Sequence, residues 1–315
     1  MKTVIVIPHH QPTLDFLEEW RSEFARKNVL VIVVEDKDER VTTVPKNFDN
    51  INIYTRKDIK KELKDDAWII PVSDSAIRSF GYYKAWQKNP DLIITVDNDC
   101  FPERKNYYIS QHWKALNQKA TLGWVKTAHM YTRGFPYNIR DKTEVVINHG
   151  LWSRFPDLDA QTALANPKLR FKPTHASQII PRYNYYPHCG MNFAFKPKVT
   201  PILYFGLQGP AYPYARFDDI WAGIFFKKIL DHLGLAVSSG KPSVEHRKQS
   251  NLEENLRKER PGLVVNEILW KDIDKITLTK TDPKSCYIEL AQKLPKYDNY
   301  WERLAKAMQI WANLF

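Results

Sequence analysis

Apolar residues fall along this chain in short runs and in stripes of helical spacing. Residues 4–7 form an apolar run that stops at Pro8-His9-His10-Gln11-Pro12, the pattern of a buried strand followed by a loop. Residues 14–26 place Phe16, Leu17, Trp20 and Phe24 on one helical face, with Thr13 as the expected N-cap. Residues 29–34 are a β-branched run that ends at Glu35-Asp36, and this strand–helix–strand alternation predicts an α/β sheet, mostly parallel. A third strand is expected over 68–72, followed by the N-cap cluster Ser73-Asp74-Ser75 and a helix over 76–87. A fourth strand over 92–96 ends on Asp97-Asn98-Asp99.

Between about 120 and 200 the pattern breaks up. Six prolines, from Pro136 to Pro187, cut this stretch into short aromatic pieces. The pattern then recovers as a buried helix over 220–233, a strand over 237–244, and a charged segment over 251–259 that is either helical or exposed. Trp301, Leu304, Met308, Trp311 and Phe315 repeat at helical spacing, which predicts a docked amphipathic helix over 300–315. No repeat, low-complexity tract or Gly/Ser linker interrupts the chain. The expected organisation is a nucleotide-binding α/β unit over 1–250 with a helical extension packed on it over 251–315.

Composition narrows the function classes. Of 315 residues, 43% are hydrophobic and 13% aromatic, which excludes intrinsic disorder. No apolar run approaches the ~20 residues of a membrane span. The N-terminal apolar run is too short for a signal peptide. Cys100, Cys189 and Cys286 lack metal-type spacing and leave one unpaired, so a reducing, cytoplasmic setting is expected. The net charge of +11 suggests an anionic partner: nucleic acid, a membrane surface or a phosphorylated small molecule. The basic residues alternate with acidic ones, as in residues 56–62, and no nucleic-acid module is present, so specific nucleic-acid binding is not expected.

The strongest chemical feature is Asp97-Asn98-Asp99 directly after a buried strand. Open α/β sheets bind ligands at the carboxyl ends of their strands. Two carboxylates there suit Mg²⁺ or Mn²⁺, which can bridge a diphosphate; an Asp-rich turn is the plainer reading. Asp218-Asp219 heads an apolar helix, either as a cap or as a sugar-facing pair. His246 follows an expected strand end and could complete a metal site. Two further strings, residues 148–152 around His149 and residues 188–192 ending at Asn192, place Gly beside hydrogen-bonding groups.

These strings carry a resemblance. Residues 14–21, Asp74-Ser75-Ala76 with Phe80-Gly81-Tyr82, Asp97-Asn98-Asp99-Cys100-Phe101, Arg133-Gly134-Phe135-Pro136, His149-Gly150-Leu151-Trp152, Cys189-Gly190-Met191-Asn192, Tyr204-Phe205-Gly206-Leu207, residues 216–223 and Asp231-His232-Leu233-Gly234-Leu235 occur in that order. Together they resemble the reversibly glycosylated polypeptides, the UDP-arabinopyranose mutase family best known from plants. The match covers residues 1 to about 260, with nothing to name beyond.

The resemblance implies a glycosyltransferase-A type fold and a metal-binding Asp-x-Asp at Asp97 and Asp99, with Asn98 replacing the family's middle aspartate. It implies His246 as a further metal ligand, uridine contacts near Asp36 and Asp74, and sugar- or acceptor-facing carboxylates at Asp218 and Asp219. It also implies an arginine that carries the sugar reversibly. Arg133 matches that arginine and Arg140 a second one. Read from its own chemistry, Arg133 stays protonated above pH 12 and is a fork for diphosphate; structural anchor, phosphate clamp and sugar acceptor all remain open. Arg78 or Arg140 would add positive charge near the diphosphate. The expected reaction is interconversion of the pyranose and furanose forms of UDP-L-arabinose. A UDP-sugar transferase is the second reading, and a non-catalytic basic binding protein the third. The family also suggests assembly with identical or related subunits.

Overall fold

The computed structural model describes residues 1–9, 14–126, 130–173, 177–247 and 251–315; Thr13 lies outside them. In chain order the elements begin with β1 (Thr3–His9), α1 (Leu14–Glu19), α2 (Arg21–Phe24), β2 (Val29–Glu35), β3 (Ile51–Tyr54), α3 (Arg56–Leu63) and α4 (Arg78–Trp86). Then come β4 (Leu92–Val96), β5 (Cys100–Pro102), α5 (Tyr108–Leu116), β6 (Val145–Arg154), α6 (Ala160–Ala165), β7 (Gln178–Ile179) and β8 (Asn192–Phe195). The chain ends with α7 (Asp218–His232), β9 (Ala236–His246), α8 (Leu252–Lys275), α9 (Pro283–Gln292) and α10 (Asn299–Ala312).

The strands form one nine-stranded sheet in the order β3-β2-β1-β4-β8-β6-β9-β5, with β7 beside β9. β3, β2, β1, β4, β6 and β9 run one way; β8, β5 and β7 run against them. This is the mostly parallel, helix-flanked sheet of a glycosyltransferase-A-like fold. β1, β2 and β4 read as continuous apolar runs because both faces are covered. Val4, Val6, Ile32 and Val34 point into one core with α4, α7 and the C-terminal helices. Ile5, Ile7, Val31 and Val33 point into the other with Phe16, Trp20, Phe24 and Tyr108.

The expected helix over 14–26 is two pieces, broken at Trp20, whose buried indole N–H donates to Cys100 O at 2.9 Å. The strand expected over 68–72 is absent. A 3₁₀ turn occupies Lys64–Ile69, and the carbonyls of Ile70 and Pro71 accept from the buried Arg56 guanidinium. That side chain satisfies backbone that a ladder would otherwise serve, and the third strand forms instead at β3. The broken middle stretch contains β6, ten residues long. Its polar residues find partners inside the fold: Asn148 accepts from Ser238 at 2.7 Å and donates to His112 at 2.9 Å.

The charged segment after 251 opens a 24-residue helix, α8. The stripe on α10 is buried as its spacing requires, with Trp301, Met308 and Trp311 at 0% exposure. Trp311 stacks on Tyr204, and the stripe belongs to the same core as α4 and α7.

Candidate active site

Parallel strands β4, β6 and β9 end on the same side of the sheet, where the antiparallel β8 begins. The loops at these ends, with the N-termini of α7 and α8, enclose a pocket of about 930 Å³. β4 delivers Asp97, whose N–H donates to Met191 O at 3.0 Å just before β8. The turn through Asn98 closes with Cys100 N–H on Asp97 O at 3.0 Å. β5 then pairs with β9 so that Cys100 lies opposite His246, which brings the His246 Nε2 to 3.7 Å from Asp99 Oδ2.

Two cation–carboxylate pairs therefore sit side by side. Arg78, at the start of α4, places Nη2 2.8 Å from Asp97 Oδ1 and donates from Nε to Ser75 O at 3.1 Å and from Nη1 to Gly190 O. Burial disfavours the Arg78 cation, but the Asp97 charge more than restores it. Burial also raises the Asp97 carboxyl above its usual range, opposed by Arg78. For His246, burial works to lower the imidazole and hydrogen bonding to Asp99 overrides it, so the net shift is upward. Its Nδ1 lies 2.9 Å from Phe155 O. That contact needs the proton on Nδ1, so a neutral His246 leaves the Nε2 lone pair on the Asp99 side.

The opposite wall is built on the N-terminus of α7. Asp218 accepts from Ser75 Oγ at 2.7 Å, and Asp219 accepts from Gly190 N–H at 2.7 Å. Burial, then the charges of Asp218 and Asp157, push Asp219 well above the carboxylate range. Asp74 caps the short turn before α4 by accepting from Ala76 N–H at 2.9 Å. Burial and the nearby Asp218 raise Asp74 to about 7.

Of the residues singled out in the sequence, Asp74, Arg78, Asp97, Asp99, Asp218, Asp219 and His246 share this pocket. The others lie off its described wall. Asp36 is paired with Arg56 and accepts from Ser73 N–H. His149 is 3% exposed, faces Ser239 Oγ at 2.9 Å, and its Nε2 accepts from Cys189 N–H at 3.3 Å. Asn192 is wholly buried, donating to Leu151 O at 2.7 Å and accepting from Tyr108 OH at 2.8 Å. Asn98 stays within its turn. Arg140 is clamped in its own loop, 3.7 Å above the Tyr137 ring and donating to Phe135 O at 2.6 Å. Arg133 is exposed on the same loop.

Sequence reasoning missed Asp157 and Asp159, which follow β6 and line the pocket. The available signal was a second Asp-x-Asp spacing after a strand. It also missed Arg216 and Glu259. Arg216 holds a left-handed backbone, φ 67°, unusual for a residue with a side chain. Its Nε donates to the buried Glu259 of α8 at 2.8 Å. Among the described residues, the wall carries eight carboxylates against five arginines and lysines, so an anionic ligand meets net repulsion unless a cation accompanies it. No described cluster of three His, Cys, Asp or Glu residues is gathered tightly enough to grip a metal alone. Asp97, Asp99 and the Nε2 of His246 nonetheless provide a hard-oxygen and imidazole donor set on one wall, the set Mn²⁺ or Mg²⁺ would take.

Comparison with known proteins agrees with this architecture. The family model for reversibly glycosylated polypeptides matches residues 2–315, which extends the resemblance through the C-terminal helices. The chain is 38% identical to UDP-arabinopyranose mutase 1 of Arabidopsis thaliana, covering 98% of this chain and 90% of that protein. It is 38% identical to probable UDP-arabinopyranose mutase 2 of Solanum tuberosum, over 98% and 88%. It is 37% identical to UDP-arabinopyranose mutase 1 of Oryza sativa subsp. japonica, again over 98% and 88%. With its sheet order, its carboxylate-lined pocket and a match from end to end, this chain belongs to the reversibly glycosylated polypeptide family.

Proposed function

We propose that this chain is a UDP-sugar mutase that interconverts UDP-L-arabinopyranose and UDP-L-arabinofuranose. The observation that carries the reading is the pocket itself, where Asp97 and Asp99 end β4 beside Arg78 and His246, in a chain similar along its length to proteins with that name. Changing ring size requires a different hydroxyl to close on C1. The C1–O bond to the diphosphate must therefore break and re-form.

Asp97, Asp99 and His246 would hold a divalent cation, Mn²⁺ or Mg²⁺. Such an ion supplies neutralisation of charge on the diphosphate, and the acidic wall is the reason one is needed. Arg78 is a fixed cation on the same side, locked by Ser75 O and Gly190 O so that its charge does not reorganise as the bond breaks. Asp218 and Asp219 orient sugar hydroxyls. Asp74, raised to about 7, can exchange a proton near neutrality, where general acid–base groups work best.

Reversible attachment of the sugar to an arginine belongs to the same proposal, and Arg133 is the better candidate of the two. Arg140 is held by three aromatic rings, whereas Arg133 is exposed. A cytoplasmic setting is supported by three free, buried thiols. No described helix is long and apolar enough to cross a membrane. Assembly with identical or related subunits is supported by the exposed Trp124, Val125, Met130 and Tyr137.

The test is direct. Incubation with UDP-arabinopyranose and Mn²⁺ should yield UDP-arabinofuranose. Folded protein that produces no furanose overturns the mutase reading. A stable label on the protein, with the nucleotide sugar unchanged, favours a self-glycosylating transferase.

A further inference from the structure

The loop between β6 and α6 carries a carboxylate that none of the reasoning above employs. Most acidic groups on the pocket wall are committed to protein donors. Asp97 is paired with Arg78, Asp99 with His246, Asp218 with Ser75 and Asp219 with Gly190 N–H. Asp159 caps α6 by accepting from Thr162 N–H at 2.9 Å. Asp157 differs: it lines the pocket and stays exposed.

Its position is central. Asp157 lies near enough to His246 and to Asp219 for its charge to act on both, and its protein partner is the Cys189 thiol, a weak donor. The backbone that presents it is fixed without help from its side chain. At one end, Phe155 O accepts from His246, and Arg154 exchanges two backbone hydrogen bonds with Phe171 at 2.7 and 3.1 Å. At the other, Ala160 N–H donates to Glu259 Oε2 at 2.7 Å. Glu259 is 4% exposed and also holds Arg216, so α8 braces both this loop and the chain entering α7.

We propose that Asp157 is a further sugar-facing carboxylate of this pocket, beside Asp218 and Asp219, accepting hydrogen bonds from hydroxyls of the nucleotide-bound pentose. The inference rests on the UDP-sugar reading above. A solvent-facing carboxylate repels diphosphate, so it suits the neutral part of such a ligand. A vicinal diol offers two donors to its two oxygens. Charged hydrogen bonds of this kind exceed neutral ones in strength.

The experiment compares binding of UDP and of UDP-arabinopyranose, both with Mn²⁺, to the wild-type chain and to Asp157→Asn. The variant keeps the shape and loses the charge, and its Tm should match wild type. The affinity for UDP should stay within about twofold, while Kd for UDP-arabinopyranose rises about tenfold. If both ligands bind the wild type and the ratio of their affinities is the same in D157N, the inference is overturned and the UDP-sugar reading stands. If the wild type binds neither, the UDP-sugar reading falls and the inference with it.

Discussion

Two of the most suggestive residues in the sequence are buried and lie off the pocket wall. His149 and Asn192 sit in glycine-containing strings that look like ligand loops, yet both are buried and spend their polar atoms on backbone and side-chain partners. Spacing cannot separate these outcomes, because a buried polar group and a ligand contact need the same residue types. Burial leaves a measurable trace. It lowers His149 from 6.5 to about 4, and His112 to about 3. Between those values and 6.5 the unfolded chain binds protons that the folded chain refuses, so stability rises with pH across that window. His149 alone accounts for roughly 3 kcal/mol. Urea melts should show stability falling as pH drops from 6.5 towards 4, and His149→Gln should flatten part of the slope. An unchanged slope would sink this reading. Arg78 supports a second test. Its three contacts fan out from one planar guanidinium, a geometry an ammonium cannot copy. Arg78→Lys should therefore cost about 2 kcal/mol in a urea melt and most of the mutase activity, despite keeping the charge.

Among the elements, most of those legible in the sequence carry an apolar run or an apolar stripe, and β9, expected over 237–244, is the more polar exception. β1, β2 and β4 lie where their runs place them, and α7 and α10 follow their stripes. The placement of Asp97 and Asp99 on the pocket wall was legible for the same reason: a buried strand makes the first polar residues after it conspicuous. β6 was not, because half of it is polar and its partners lie far along the chain on β9 and α5. α8 was legible only as charge, and its contribution to the pocket was invisible. That contribution depends on close contact at Gly262, where an added Cβ would fall 2.4 Å from the Phe217 ring. Alanine there gains about 1 kcal/mol of helix propensity but forces Phe217 aside, an overpacking cost of about 1–3 kcal/mol. Phe217 directly precedes Asp218. Gly262→Ala should therefore reduce turnover more than its Tm change alone explains. Wild-type activity with a raised Tm would show that α8 does not set the position of that pair.

For the molecule as a whole, the charge of +11 and the pocket point in opposite directions. The pocket wall is acidic among its described residues, so the excess of basic residues lies elsewhere. It can draw an anionic nucleotide toward the protein over long range, while binding in the pocket falls to a few fixed cations and to the divalent ion proposed above. Nor is the C-terminal part an appendage. Trp301, Leu304, Ala307, Met308 and Trp311 pack into the core that also holds α7 and α4, and Trp301 meets Trp221 of α7 with ring centroids 5.2 Å apart. Each large buried apolar side chain of that stripe contributes about 1.5–3 kcal/mol, against a total stability of about 5–15 kcal/mol for a typical domain. Removing residues 299–315 should therefore abolish the folded state altogether, giving flat near-UV circular dichroism, dye binding to exposed apolar surface and no UDP affinity. A truncated chain that still melts cooperatively, within a few degrees of full length, would mean that the sheet and α7 close their core without α10.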